Sequence, residues 1–187
     1  MSWGADMPPF PCHSVRHCPS CGSGGVTVRA DRSVRCRACG YVLFFNVAAA
    51  VAGIIEDDTG RVLLVERATE PAKGALDLPG GFVEPGETAE EALAREVREE
   101  LDLSLRRDSL RYLGSFPNTY AYAGVTYWTL DAAFACTVET LAYRDVSGEI
   151  ASVMFFAPED IPIPRVGFAS IRNILQAYRE TRRREAL

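Results

Sequence analysis

The alternation of apolar and polar positions predicts several strands on either side of one strongly amphipathic stretch. Val47–Ile55 is a run of small and branched apolar residues, which is typical of a strand buried on both faces. A turn at Asp57–Gly60 separates it from a second apolar strand, Arg61–Glu66, so the two are expected to form a hairpin. Leu76–Leu78 is a short extended segment that leads into Pro79-Gly80-Gly81.

Three further apolar segments predict the remaining strands. Leu110–Phe116 and Thr126–Cys136 are the first two, with Asn118–Gly124 expected as their connection, and Ile150–Phe156 is the last. The strands do not alternate with helices in βαβ units. The pattern therefore favours an α+β layered domain over a doubly wound parallel sheet.

The amphipathic stretch after the glycines predicts a helix. Thr88 is a good N-cap, and Glu91 three residues later completes a capping box, so the helix should begin near Ala89. Its inward-facing stripe consists of Leu93, Val97 and Leu101.

A second helix is predicted at the C-terminal end by apolar residues at intervals of three and four. These residues are Phe168, Ile171, Leu175 and Tyr178. Three arginines, Arg182–Arg184, follow where cations suit the helix dipole, which explains them better than a binding patch does.

Composition narrows the class of protein. Apolar residues make up 48% of the 187 residues and charged residues 24%, as in soluble globular proteins. The net charge of −5 gives no support for nucleic-acid binding through bulk positive charge. The longest apolar run is too short to span a bilayer, and the N-terminus lacks the pattern of a signal peptide. We therefore expect a cytoplasmic protein.

Four of the six cysteines form two Cys-x-x-Cys-Gly turns, Cys18/Cys21 and Cys36/Cys39. Two such turns can supply four thiolates to one tetrahedral Zn²⁺, and Val26–Arg29 and Ser33–Cys36 alternate like the strands of a hairpin between them. A pair of redox dithiols is the alternative. The segment resembles a zinc ribbon, which is too small to fold without its metal.

Other potential ligands near the ribbon are not needed. His13 and His17 lie close in sequence, but four cysteines already complete a zinc shell. Cys12 and Cys136 stand alone and are expected to be small buried apolar residues. The arginines of the hairpin lack an interleaved aromatic platform, so direct nucleic-acid binding is not favoured.

Three carboxylates, Glu96, Glu99 and Glu100, lie within about 100° of each other on the first helix, bordering its apolar stripe. We call them the acidic edge. A solvated glutamate-rich face is the alternative, but like charges four residues apart are destabilising unless a cation offsets them. Clustered carboxylates suit Mg²⁺ or Mn²⁺ rather than zinc.

The stretch from Gly81 to Leu103 resembles the Nudix box. Gly81, Glu87 and Arg95-Glu96 fall at the spacing of that motif, and the pattern continues through Glu99-Glu100-Leu101 to Leu103. Asp102 stands where the family usually carries glycine. That position ends the helix, and aspartate tolerates turn geometry, so we expect no effect on the chemistry.

The resemblance implies a Nudix α/β/α sandwich that hydrolyses a nucleoside diphosphate linked to another moiety. It implies that the acidic edge and the Gly80 carbonyl bind the catalytic Mg²⁺, and that Arg95 and Glu87 form a supporting ion pair. The general base of such enzymes is either a box glutamate, here Glu96, or one from a later loop, for which Glu149 is the candidate.

A zinc ribbon joined to a Nudix domain also resembles the NADH diphosphatases. Those carry a Ser-Gln-Pro-Trp-Pro-Phe-Pro block, of which only Ser115 and Pro117 have counterparts here. ADP-ribose or another ADP-sugar is therefore the first choice of substrate and NAD(H) the alternative. Four aromatic residues beyond the box are candidates for stacking on the base: Tyr120, Tyr122, Tyr127 and Trp128.

These expectations give a domain organisation and an alternative function. Residues 1–16 are expected to be a mobile N-terminus, 17–44 the zinc ribbon and 45–187 the Nudix hydrolase domain. A non-catalytic nucleotide-sensing or scaffold module is the alternative, with the ribbon as a docking surface, although no box glutamate is lost. A homodimer is possible by analogy with related enzymes.

Overall fold

The computed structural model describes residues 10–185, which divide into two compact units. One unit runs to Val47 and includes Thr119–Trp128; the other contains Ala48–Asn118 and the chain from Thr129 onward. Residues 1–9 of the expected mobile N-terminus lie outside the described residues, and Pro11–Ser14 form a 3-10 turn. The predicted domain boundaries remain a prediction.

The first unit contains a three-stranded sheet, β1 (Val26–Val28), β2 (Val34–Cys36) and β3 (Val42–Leu43). Strands β1 and β2 pair antiparallel, with Val26 opposite Cys36, so the hairpin expected between the cysteine pairs is confirmed. The pairing of β3 with β2 was not predicted.

The second unit is built on two sheets that share an apolar interior. One sheet has the order β10-β5-β6, and the other has the order β7-β4-β9-β8. The strands of these sheets are β4 (Ala48–Ile55), β5 (Val62–Arg67), β6 (Leu76–Asp77), β7 (Gly80–Phe82), β8 (Arg111–Tyr122), β9 (Val125–Cys136) and β10 (Ile150–Phe156). Strands β4 and β9 run parallel and the other registered pairs antiparallel. Strands β4 and β5 lie in different sheets, so the hairpin expected between them is wrong.

Two helices cover opposite faces of these sheets: α1 (Ala89–Leu101) and α2 (Ala169–Glu185). Successive residues of β4 point alternately to the two faces: Val51 and Ile55 pack with α1, whereas Ala52 and Ile54 pack with α2. The expected α/β/α sandwich is confirmed. None of the helices within residues 10–185 is long and apolar enough to cross a membrane.

The expected connection at Asn118–Gly124 is wrong. Strand β8 continues to Tyr122 and β9 begins at Val125, which leaves only Ala123 and Gly124 to turn the chain. Both have positive φ, 49° and 77°, as a two-residue type I′ hairpin requires. The alternating residues Tyr120 and Tyr122 continue the strand instead.

Helix α1 is anchored by its apolar stripe. Leu93, Val97 and Leu101 are all 0% exposed, as predicted. Leu93→Ala should lower the free energy of unfolding by about 2–5 kcal/mol, because the cavity it leaves adds to the lost burial. Urea unfolding measures this loss. The exposed Arg98→Gln on the same helix should change stability by less than about 0.5 kcal/mol, and an equal loss in both variants would contradict the assignment.

Candidate active site and zinc cluster

The start of α1 is fixed by the capping box that the sequence predicts. The Glu91 backbone N–H donates to the Thr88 hydroxyl at 3.2 Å, and the Thr88 N–H donates to the Glu91 carboxylate at 2.9 Å. With the helix start fixed and the apolar stripe buried, the acidic edge lies along the border between core and solvent. Glu96 is 17% exposed, whereas Glu99 is 55% exposed.

Arg95 stands at the centre of the acidic edge. Its Nε and Nη2 donate to the two carboxylate oxygens of Glu87 at 2.7 and 3.0 Å. Its Nη1 lies 2.9 Å from Glu96 and 3.1 Å from Glu99, and Nη2 also donates to the Phe82 carbonyl at 2.9 Å. These hydrogen bonds, of which the one to Glu87 has the largest effect, raise the pKa of Arg95 and keep it charged. One guanidinium therefore holds three carboxylates and the backbone of β7.

The glycine turn approaches the acidic edge so closely that side chains are excluded. A Cβ on Gly80, whose φ is +152°, would lie 2.1 Å from the Val51 carbonyl oxygen. A Cβ on Gly81 would lie 2.4 Å from Glu96 Oε1. The Gly80 N–H donates to Glu100 Oε2 at 3.3 Å, so the turn also orients that carboxylate.

The surroundings of the acidic edge do not fully offset the free-energy cost of ionising its carboxyl groups. Burial raises the pKa of Glu100 to about 8, and the neighbouring Glu96 charge raises it further. Burial also raises the pKa of Glu96, against the attraction of Arg95. The charge of Glu149 acts in the same direction on both groups, and the chain that precedes it is bonded to α1 through the Val146 N–H and the Glu100 carbonyl.

The donor set suits a hard divalent cation but is not closed around one. Within residues 10–185, the three carboxylates do not converge as tightly as the cysteines described below. Glu96 and Glu99 are bonded to Arg95 instead. A cation bound by all three glutamates would require Glu99 to leave Arg95. The Glu99 side chain is exposed and has room to rotate away. Oxygen ligands with uncompensated charge beside a glycine turn fit Mg²⁺ or Mn²⁺.

A buried ion pair behind the glycine turn was not singled out in the sequence. Asp77 Oδ2 accepts from Arg67 Nη1 at 3.1 Å, and Oδ1 accepts from the Leu78 N–H at 2.9 Å. Burial raises the pKa of Asp77 to about 6, although Arg67 opposes this, and the Asp77 charge contributes to the raised pKa of Glu100. An aspartate inside the apolar segment Leu76–Leu78 was the available signal.

The other predicted site residues lie in different elements. Glu149 directly precedes β10 and is exposed. The four aromatic candidates lie at the tip of the β8–β9 hairpin, within the first unit: Tyr120, Tyr122, Tyr127 and Trp128. The rings of Tyr120 and Tyr122 stack with centroids 6.4 Å apart, and Trp128 contacts Phe10 at 6.0 Å.

In the first unit, the sulfurs of Cys18, Cys21, Cys36 and Cys39 all lie within 4.8 Å of one another. The Cys18–Cys39 and Cys21–Cys36 sulfur distances are both 3.7 Å. Four sulfurs at about 2.3 Å from a tetrahedral Zn²⁺ would be about 3.8 Å apart, so the cluster fits the ion. The Cys39 backbone N–H is the main cause that lowers the pKa of Cys36 to about 6, which favours the thiolate.

Comparison with known proteins gives one family match over most of the chain. The NUDIX domain family model matches residues 46–178. A crystal structure of a NUDIX hydrolase from Nitrosomonas europaea superposes with a TM-score of 0.71 and 25% identity, covering 91% of this chain and 93% of that chain.

Two kinds of sequence relatives stand out. An ADP-ribose pyrophosphatase from Methanocaldococcus jannaschii is 49% identical over 78 residues, or 42% of this chain and 46% of the relative. The NAD-capped RNA hydrolase NudC from Deinococcus radiodurans is 29% identical over 164 residues, or 87% of this chain and 56% of the relative. The chain spans about half the length of these relatives.

The raised pKa of Glu100 predicts a pH-dependent stability in magnesium-free buffer. The folded protein retains the Glu100 proton up to about pH 8, whereas the unfolded chain releases it near pH 4.5. The stabilisation is therefore complete below about pH 4.5 and lost as pH rises to about 8, on the order of 5 kcal/mol. Urea unfolding at several pH values should show this slope reduced in Glu100→Gln and unchanged in Glu90→Gln. Identical slopes in all three proteins would contradict it.

The cysteine cluster predicts about one zinc per chain in the purified protein. Cys36→Ser should lose the metal and the folded structure of the zinc ribbon, because removing a ligand removes the energy that folds so small a unit. Elemental analysis with circular dichroism measures both. Cys136→Ser, at a buried cysteine outside the cluster, should retain zinc. A folded, metal-free wild-type protein would overturn the assignment.

Proposed function

The chain belongs to the NUDIX domain family, and from this premise we propose that it is a Mg²⁺- or Mn²⁺-dependent diphosphatase of nucleotide derivatives. It would cleave the diphosphate bond of a nucleoside diphosphate linked to another moiety, with ADP-ribose or an ADP-sugar as the first substrate. The product containing the base would be AMP.

The observation that carries this proposal is the position of the acidic edge against the glycine turn. Glu96 Oε1 lies so close to Gly81 that an added Cβ would be 2.4 Å from it, and Glu100 Oε2 accepts a hydrogen bond from the Gly80 N–H. These carboxylates, with Glu99 and the Gly80 carbonyl, would hold the divalent cation. The bound cation would neutralise charge on the diphosphate oxygens and make a bound water more acidic.

The chain's own residues would orient the reaction around that site. Arg95 keeps Glu96 and Glu99 beside each other and is itself held by Glu87. Gly80 and Gly81 let the turn approach Val51 and Glu96 closely because neither has a side chain. Preorganised charge of this kind contributes to rate because it needs little rearrangement as the reaction proceeds.

Glu149 is our choice as general base, with Glu96 as the alternative. The carboxylate of Glu149 has no hydrogen-bond partner within residues 10–185, whereas that of Glu96 is bonded to Arg95. A carboxylate without hydrogen-bond partners can accept the proton of an attacking water, whereas the Glu96 oxygen bonded to Arg95 must first leave the guanidinium.

NAD-type dinucleotides are the second substrate candidate. The NudC relative from Deinococcus radiodurans matches 87% of this chain, whereas the ADP-ribose pyrophosphatase matches 42% at higher identity. The block typical of NADH diphosphatases is nearly absent, which keeps ADP-ribose first. Stacking of the base on one of the four aromatic candidates belongs to this proposal, as does a structural role for zinc.

A hydrolysis assay distinguishes a diphosphatase from a non-catalytic nucleotide-binding module. With Mg²⁺, wild-type protein should release AMP from ADP-ribose, and Glu99→Gln and Glu100→Gln should each lose at least about 100-fold in kcat/KM, because each removes a metal ligand. Glu90→Gln, on the same helix but outside the acidic edge, serves as the matched control.

A panel of ADP-ribose, ADP-sugars, NADH and NAD-capped RNA would rank the substrates by kcat/KM. Unchanged rates in Glu99→Gln and Glu100→Gln would contradict the assignment of these residues as metal ligands. Tight binding of ADP-ribose without turnover would instead establish the nucleotide-sensing alternative.

A further inference from the structure

The chain between β9 and β10 ends in Glu149, and its last part is attached to the C-terminal end of α1. The Arg144 N–H donates to the Leu101 carbonyl at 3.0 Å, and the Val146 N–H donates to the Glu100 carbonyl at 3.3 Å. Carbonyls at the end of a helix have no partner within the helix. Residues 144–149, here called loop 144–149, therefore supply those partners.

Asp102 adds a contact that glycine could not make. It ends α1 in the left-handed conformation, with φ 57° and ψ 31°, which is the geometry for which the family usually carries glycine. The backbone alone does not explain an aspartate there. Its Oδ2, however, accepts from Arg144 Nε at 2.8 Å and lies 2.7 Å from Arg144 Nη2.

The rest of loop 144–149 is bonded continuously up to Glu149. Asp145 Oδ1 accepts from the Ser147 and Gly148 N–H groups at 3.1 and 2.9 Å. The Ser147 hydroxyl accepts from the Glu149 N–H at 3.0 Å, and the Glu149 carbonyl accepts from the Ala68 N–H at 2.7 Å. The position of Arg144 is thereby transmitted to the start of β10.

We propose that the Asp102–Arg144 ion pair is a positioning device that holds loop 144–149 on the end of α1 and so keeps Glu149 beside the acidic edge. The consequence for catalysis rests on the proposed function; the consequence for the loop does not. Asp102 and Arg144 are positioning residues, since they act through Glu149 rather than on the substrate.

The effect is expected to be modest. The Arg144 and Asp102 side chains are 73% and 44% exposed, and exposed ion pairs contribute little in water. Losing the pair should release the loop about two- to fivefold more often rather than unfold it. Asp102→Asn is the sharpest variant because asparagine also tolerates the left-handed conformation, so only the charge is lost.

Hydrogen exchange tests the loop directly. The Arg144 and Val146 amides should exchange about two- to fivefold faster in Asp102→Asn and in Arg144→Gln, with less difference at high ionic strength. Arg111→Gln is the matched control, because Arg111 pairs with Glu185 elsewhere on the surface. Unchanged exchange in both loop variants would overturn the proposal whatever the enzyme's activity.

Kinetics tests the link to Glu149. Asp102→Asn should lower kcat by about two- to fivefold with an unchanged Mg²⁺ dependence, and should cause no further loss in a Glu149→Gln background. An equal fractional loss in both backgrounds would overturn the positioning of Glu149. Wild-type protein without diphosphatase activity would reject the proposed function, and hydrogen exchange would still decide the ion pair's role.

Discussion

The acidic edge depends on one guanidinium. Glutamates four residues apart on a helix repel each other, and partial burial of Glu96 and Glu100 makes their charge more costly still. Arg95 offsets part of this repulsion by bonding Glu87, Glu96 and Glu99 at once. It does not reach Glu100, whose pKa remains raised to about 8. The fold thus holds an excess of carboxylates over cations, and Glu100 keeps its proton near neutral pH unless a cation replaces it, which is a reason to infer that a cation completes the site.

That excess sits where the sandwich brings backbone closest to the helix. The stripe of Leu93, Val97 and Leu101 presses α1 onto the sheets, and Gly80 and Gly81 allow β7 to meet the acidic edge without side chains between them. Packing, capping and charge therefore specify one arrangement together. The unit that contains the zinc cluster has a small three-stranded sheet, and both large clusters of buried apolar residues in the described chain lie in the other unit. Metal ligation would therefore supply the energy that folds the smaller unit.

Sequence patterns predicted the features that depend on interactions between residues close together in the chain. The capping box, the apolar stripe, the cysteine hairpin and the left-handed Asp102 all follow from neighbouring residues, and the structure contains each of them. The length of β8 was missed because Ala123 and Gly124 make the two-residue turn to β9, and alanine rarely adopts the positive φ that such a turn requires. The Arg67–Asp77 and Asp102–Arg144 pairs were missed for a related reason. Each joins residues ten or more positions apart, and no periodicity links them.

The proposed hydrolysis requires a metal ion bound at the acidic edge. The most direct measurement is an anomalous difference map from crystals grown with Mn²⁺ and a non-hydrolysable ADP-ribose analogue. We predict a Mn²⁺ peak within ligand distance of Glu96 and Glu100, next to the analogue's diphosphate. An occupied diphosphate with no metal peak at the acidic edge, in a protein that hydrolyses ADP-ribose, would contradict the account.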